Sequence, residues 1–144
     1  MNTRSVEPAQ EGTFYFAEHE PFRLEAGGEL QPVSLRHAIY GTLNHQRDNV
    51  VLVCHALSGS ARVADWWNDM FAPGRPLDLS RYCVIGSRYG STGPTSINPR
   101  TGIAYGPDFP MITTRNLVRA QALLLDHLGV ERVRSVMGGS IGGM

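Results

Sequence analysis

The chain has 144 residues, enough for one domain with an adequate core, and 42% hydrophobic with 18% charged residues is ordinary for a globular protein. Its 13 basic and 13 acidic residues give a formal net charge of zero, so charge gives no reason to expect nucleic acid or an anionic membrane surface as a partner. No apolar stretch reaches membrane-spanning length and the N-terminus lacks a signal-peptide core, which predicts a cytoplasmic protein without membrane contact.

The first predicted elements are strands. Residues 13–17 and 33–40 predict an antiparallel pair, because the second segment alternates apolar and polar side chains and two glycines lie in the connection. Residues 49–54 form a continuous apolar run, which is typical of a central strand buried on both faces. The segment His-Ala-Leu-Ser-Gly at 55–59 follows this strand directly.

The middle of the chain predicts one more strand and then a long loop. A short amphipathic helix around residues 61–70 and a Pro/Gly-rich turn lead to a strand at 81–85. Residues 86–110 are rich in Gly, Pro, Ser, Thr and Asn and have no helical or strand period. A loop of this length inside a compact domain is usually functional, so we expect it to form a wall of a site.

Half of a strand-helix-strand crossover is predicted next. Apolar residues recur at steps of three or four from 117 to 128, which indicates an amphipathic helix. Thr113 or Thr114 can cap its start, and Gly129 lies where it stops. Residues 130–137 then lead back into the sheet.

The most informative motif is Gly-Gly-Ser-Ile-Gly at residues 138–142. A Gly-x-Ser-x-Gly sequence after a buried strand is how an α/β-hydrolase places a nucleophilic serine, here Ser140, on a strand-to-helix turn. The residues two before and two after the serine approach too closely for side chains, so glycine is needed there. Since all basic residues are arginine, lysine-based catalysis is excluded within the chain, and the serine is the candidate nucleophile.

Other reactive side chains have structural interpretations. Cys54 and Cys83 lie in apolar strand-like runs without Cys-x-x-Cys spacing, which indicates buried free thiols rather than a disulfide or a metal site. His55 ends the central strand, and we expect it to line a pocket or support the structure rather than act as the base. His127 is expected to interact with the end of its helix.

Trp66 and Trp67 leave two alternatives open. Adjacent aromatic residues can mark a ligand surface, or they can pack against the core. The histidines show no ligand spacing, so the sequence predicts no bound metal.

Six sequence blocks, taken in order, resemble the homoserine O-acetyltransferases. They are Val-Leu-Val-Cys-His-Ala-Leu-Ser-Gly at 51–59, Trp-Trp at 66–67, Gly-Ser-Thr-Gly-Pro-Thr-Ser-Ile-Asn-Pro at 90–99, Tyr-Gly-Pro-Asp-Phe-Pro at 105–110, Arg-Ala-Gln at 119–121 and Gly-Gly-Ser-Ile-Gly-Gly-Met at 138–144. The match runs from about residue 12 to the end. It implies an α/β-hydrolase fold with a mostly parallel sheet, and transfer of an acyl group from a coenzyme A thioester to the hydroxyl of L-homoserine, a step of methionine biosynthesis.

The resemblance also implies roles for individual residues. Ser140 would be the nucleophile, and the amides of Leu57 and Ile141 would form the oxyanion hole. Ser58 would lie beside the substrate. The expected mechanism is ping-pong through an acyl-serine, with acetyl-CoA as a co-substrate and no bound cofactor.

Arg88 raises the question of the acyl donor. It lies in segment 84–90, which lacks several residues that relatives carry, and the chain is also shorter than usual between the 55–59 segment and Trp66. A guanidinium at this position could pair with the free carboxylate of a succinyl group, so succinyl-CoA is an alternative donor and serine an alternative acceptor.

The family's triad Asp and His follow the serine, so neither is expected in this chain. We therefore predict that residues 1–144 are the N-terminal part of one incomplete domain, truncated after the nucleophile strand, within a full-length homodimer. The isolated segment is expected to be inactive and poorly soluble, because its last strand would be an exposed edge. A serine hydrolase or esterase on the same scaffold, and a non-catalytic binding module, stay open as alternatives.

Overall fold

A computed structural model describes residues 4–88 and 92–144 of the chain. The strands are β1 Gln10–Phe16, β2 Phe22–Arg23, β3 Glu29–Leu30, β4 Val33–Tyr40, β5 Val50–Cys54, β6 Cys83–Ser87 and β7 Val133–Gly138. The helices are α1 Ala64–Trp67 and α2 Thr114–His127, with 3-10 turns at Asn68–Phe71, Gly106–Asp108 and Ser140–Gly143. No helix in the described ranges is both long enough and apolar enough to cross a membrane.

Within these described residues, five strands form one sheet in the order β1-β4-β6-β5-β7, and β2 pairs with β3 in a short ribbon. β5 pairs in parallel with both β6 and β7, whereas β4 and β6 are antiparallel. Every residue of β5 is buried, as expected for a continuous apolar run between two neighbouring strands. The central strand predicted at 49–54 is confirmed.

The predicted helix around residues 61–70 is shorter, at Ala64–Trp67, and is followed by a 3-10 turn, and the strand predicted at 13–17 is Gln10–Phe16. Other segments differ as well. The strand predicted to begin at Arg81 begins at Cys83, because the amide of Arg81 donates to the carbonyl of Asp78 in a preceding turn. The connection around Gly27 and Gly28 contains the β2–β3 ribbon, whose turn uses a φ of +97° and +83° at these glycines. Strands of two residues are too short to produce a readable period.

The described chain forms two compact units. The first comprises Met1–Gly12, Arg36–Arg88 and Leu125–Met144, and the second comprises Thr13–Leu35 and Tyr89–Leu124. The buried core of the first unit is Ala38, Tyr40, Val51, Val53, Ala61, Val63, Ala64, Phe71, Leu77 and Val84. The buried core of the second is Phe22, Leu24, Leu30, Val33 and Ala120. A single domain over 1–144 stays a prediction.

Helix α2 has both of the ends that the sequence predicts. At its start the amide of Asn116 donates to the hydroxyl of Thr113 at 3.3 Å, and the amide of Thr113 donates to the side-chain oxygen of Asn116 at 3.0 Å. At its end Gly129 has a φ of +74°, and the amide of Val130 donates to the carbonyl of Leu125 at 3.0 Å. The helix therefore begins and stops through local hydrogen bonds.

Thr113, rather than Thr114, caps this helix, so its replacement should destabilise the protein. We expect Thr113→Ala to lower the free energy of unfolding of the full-length protein by about 1 kcal/mol, because the first turn loses a side-chain acceptor. Thr113→Ser keeps the hydroxyl and is the matched control. Urea denaturation measures both variants, and an alanine variant as stable as the natural protein would contradict the capping role.

Candidate active site

Ser140 lies where β7 ends and the 3-10 turn Ser140–Gly143 begins. We call residues 138–142 the elbow. The φ of Ser140 is +57°, in the left-handed region, where a side chain costs about 1–3 kcal/mol. The residue is exposed to solvent. A strained and accessible serine therefore stands where the motif predicts the nucleophile.

Two glycines of the elbow are required by close approaches of the backbone. A Cβ atom on Gly138 would collide with the carbonyl of Gly142. A Cβ atom on Gly142 would collide with the carbonyl groups of Cys54 and His55, at the end of β5. The positions two before and two after the serine thus have the steric need that the motif predicts.

The elbow and the 55–59 loop lie at the same edge of the sheet. β5 and β7 are parallel and Cys54 is the register partner of Gly138, so the two strands end level with each other. After β5 the chain makes a turn in which the amide of Gly59 donates to the carbonyl of Ala56 at 2.9 Å. Polar groups of both segments can therefore face one ligand.

Leu57 and Ser58 occupy the two corner positions of this turn, and both are exposed. The Leu57 residue is 84% exposed, and the group that the motif assigns to the oxyanion hole is its backbone amide. Ile141 is the second residue of the 3-10 turn. The first N–H groups of a helical turn have no carbonyl partner within the turn, so the Ile141 amide can face a ligand. The structure thus brings these three residues to the sheet edge that carries Ser140.

The segment that follows the 55–59 loop is held by contacts that no sequence pattern reveals. A Cβ atom on Gly86 of β6 would collide with the carbonyl of Ala61, so the chain crosses β6 at very short distance. The indole nitrogen of Trp66 donates to the carbonyl of Ser60 at 3.3 Å. Trp66 also packs on Trp67, with ring centroids 4.6 Å apart, which favours packing over a ligand surface.

Arg88 follows β6 directly and is exposed. Its amide donates to the carbonyl of Arg36 at 2.8 Å, which continues the pairing of β6 with β4. Residues 89–91 include the end of segment 84–90 and the first two residues of the Gly-Ser-Thr-Gly-Pro block, and they lie outside the described residues. The suggested contact of Arg88 with an acyl donor stays a prediction.

The cysteines are poor alternatives as nucleophiles or ligands. Among the described residues neither cysteine forms a disulfide, and both are buried. Burial raises the pKa of the Cys83 thiol to about 11, so this thiol is protonated near neutral pH and weakly nucleophilic. Among the described residues, no group of three or more His, Cys, Asp and Glu is placed to hold a metal ion.

A parallel strand pair, a left-handed serine and two sterically required glycines define the nucleophile elbow of an α/β-hydrolase-type protein. No protein-family model matches the chain. The homoserine O-acetyltransferase of Chlorobaculum tepidum is 49% identical over an alignment of 149 positions that covers 100% of this chain and 41% of that protein. This similarity extends over the whole chain. It confirms the relatedness to homoserine O-acetyltransferases that the sequence blocks indicate.

Two solved structures that resemble this chain support the same family and fold. The homoserine O-acetyltransferase from Bacillus anthracis matches with a TM-score of 0.86 and 31% identity, over 96% of this chain and 42% of that chain. Esterase E22 matches with a TM-score of 0.82 and 33% identity, over 92% and 41%. The chain thus has the α/β-hydrolase fold and spans about two fifths of the length of these proteins.

The steric requirement at the elbow can be measured with neighbouring glycines. We expect Gly138→Ala to lower the free energy of unfolding of the full-length protein by about 1–3 kcal/mol, because the added methyl overpacks the elbow. Gly139→Ala is the matched control, since open space surrounds its Cβ position and its φ is −131°. Urea denaturation compares them, and equal stabilities would show that the close approach does not exist.

Proposed function

We propose that this chain carries the nucleophile of an acyltransferase that moves an acetyl group from acetyl-CoA to the hydroxyl of L-homoserine, a step of methionine biosynthesis. The observation that carries the proposal is the elbow, where a strained Ser140 lies beside the turn that contains Leu57. The 49% identity to the Chlorobaculum tepidum homoserine O-acetyltransferase supports the choice of donor and acceptor.

The first half-reaction transfers the acetyl group from CoA to Ser140. The hydroxyl of Ser140 attacks the thioester carbonyl of acetyl-CoA, so a C–O bond forms, and the C–S bond breaks when the tetrahedral intermediate collapses. The hydroxyl proton passes to a general base and then to the departing sulfur, which leaves as the thiol of CoA. The product is an acetyl ester on the serine.

The second half-reaction transfers the acetyl group from Ser140 to homoserine. The hydroxyl of homoserine attacks the acetyl-serine carbonyl and gives its proton to the same base. A C–O bond to homoserine forms, the bond to Ser140 breaks, and the serine recovers the proton. CoA leaves before homoserine reacts, so the kinetics are ping-pong. The intermediate is useful only if water is kept away from the acetyl-serine, and a role of residues 86–110 in this exclusion stays a prediction.

Two backbone amides stabilise the oxyanion in both halves. We assign this role to Leu57 and Ile141, and each such donor contributes about 2.7–4 kcal/mol. The close contact of Gly142 with the carbonyl of Cys54 supports this assignment, because it holds the two turns next to each other. Ser58 is exposed in the same turn as Leu57 and is proposed to contact the substrate.

We propose that the base and its orienting carboxylate lie beyond residue 144, in the order Ser, Asp, His. The greater length of the relatives supports this placement, since the chain covers 41% of the Chlorobaculum tepidum protein. His55 is a poor candidate for the base, because it is only 4% exposed and its Nδ1 contacts the carbonyl of Ala56. We expect residues 1–144 alone to be inactive for this reason.

Acceptor use separates this function from ester hydrolysis, a second candidate that the likeness to esterase E22 favours. We expect the full-length protein to release CoA from acetyl-CoA rapidly with homoserine and only slowly without it. Ser140→Ala should lower the homoserine-dependent rate by at least about 10³-fold, because the nucleophile is lost.

The matched control for this variant is Ser135→Ala, at a second serine of the same strand that lies outside the elbow. Its rate should equal that of the natural protein. CoA release that ignores homoserine would favour the hydrolase, and an active Ser140→Ala variant would refute the proposed nucleophile.

Substitution of Arg88 tests whether the protein uses succinyl-CoA as an acyl donor. If it pairs with the free carboxylate of a succinyl group, Arg88→Ala should lower the use of succinyl-CoA by roughly tenfold or more, as expected for a charge-assisted hydrogen bond, and spare acetyl-CoA. Arg88→Lys keeps the charge but not the bidentate geometry and is the matched control. Donor competition in the full-length protein measures these effects. No succinyl-CoA use, or no loss on Arg88→Ala, would refute the pairing.

Three further expectations keep the status of predictions. They are a homodimer for the full-length protein, a cytoplasmic location, and activity without a bound cofactor or metal. The proposed chemistry supports the last, because it needs a serine, a base and oxyanion donors alone.

A further inference from the structure

We propose that His55 is a positioning residue, which orients the amide of Leu57 toward the oxyanion by holding the carbonyl of Ala56. The proposal rests on the function proposed above for Leu57 and goes further, because it assigns the group that fixes that amide. His55 does not touch the substrate in this role.

The side chain of His55 is folded back onto its own loop. The residue is 4% exposed, and its Nδ1 lies 2.5 Å from the carbonyl oxygen of Ala56. A carbonyl oxygen only accepts hydrogen bonds, so Nδ1 carries the hydrogen and donates it. This assigns the tautomer of the neutral ring as the one protonated at Nδ1.

The bonded carbonyl belongs to the peptide unit that carries the Leu57 amide. A trans peptide is planar, so its C=O and N–H bonds point in opposite directions. Holding the oxygen of Ala56 on one side therefore fixes the direction of the Leu57 N–H on the other. A rotation of this peptide would turn the proposed oxyanion donor away.

Two donors hold this oxygen, which leaves the peptide little freedom to rotate. The amide of Gly59 also donates to the carbonyl of Ala56, at 2.9 Å, and the two lone pairs accept one hydrogen each. A Cβ atom on Gly59 would stand 2.7 Å from the Cβ of His55, so the turn is packed directly against the histidine. The elbow lies against the main chain of His55, because a Cβ atom on Gly142 would stand 2.8 Å from the His55 carbonyl oxygen.

The role needs a hydrogen-bond donor and not only a side chain that fills space. Asn places an amide nitrogen close to the position of Nδ1, whereas Leu has the shape of Asn and no donor. His55→Asn and His55→Leu are therefore a matched pair in the full-length protein. Comparison of the two separates the hydrogen bond from the packing.

We expect His55→Leu to lower kcat for homoserine-dependent CoA release by about 10- to 100-fold, because the oxyanion donor is misplaced. The KM values for acetyl-CoA and homoserine should change much less, since the oxyanion forms after binding. His55→Asn should recover most of the lost kcat. Equal losses in both variants, or an unchanged kcat in His55→Leu, would overturn the proposal.

A second measurement needs no variant and no activity. ¹⁵N NMR of the natural protein, at a pH where the His55 ring is neutral, should show this ring protonated at Nδ1. Protonation at Nε2 with a bare Nδ1 would overturn the proposal. If Nδ1 is protonated but the natural protein transfers no acetyl group, the proposed function fails while the contact stands, so the two failures are distinguishable.

Discussion

The site depends on one close contact, between the α-carbon of Gly142 and the carbonyl groups at the end of β5. Because this residue has no side chain, the turn that follows Ser140 can lie directly on Cys54 and His55. The contact joins two segments that are far apart in the sequence. Any side chain there would separate the serine from the loop that carries Leu57.

The strain at Ser140 persists because both of its flanks are fixed. Before it, β7 pairs with the fully buried β5. After it, the amide of Gly142 donates to the carbonyl of Gly139 at 3.0 Å and closes the turn. A left-handed serine costs about 1–3 kcal/mol, whereas each buried Val or Leu contributes about 1.5–3 kcal/mol. A few such side chains in β5 offset the strain, and the serine stays at the sheet edge.

Features with a local cause could be predicted from the sequence. The continuous apolar run predicts β5, the glycine spacing predicts the elbow, and Thr113 and Gly129 predict the ends of α2. The β2–β3 ribbon cannot be predicted from the sequence, because two-residue strands have no period. The hydrogen bond from His55 to the carbonyl of Ala56 and the bond of Trp66 to the chain after this loop depend on side-chain rotamers, which spacing does not encode.

The central claim is that Ser140 forms the acyl-enzyme, and the most direct measurement is mass spectrometry of the full-length protein mixed with acetyl-CoA. Without homoserine, we predict one added acetyl group, located by peptide mapping on the peptide that contains Ser140. After the unreacted acetyl-CoA is removed, addition of homoserine should remove this group from the protein and form O-acetylhomoserine, without release of further CoA. An acetyl group on another residue, or turnover by a protein that never carries one, would contradict the claim.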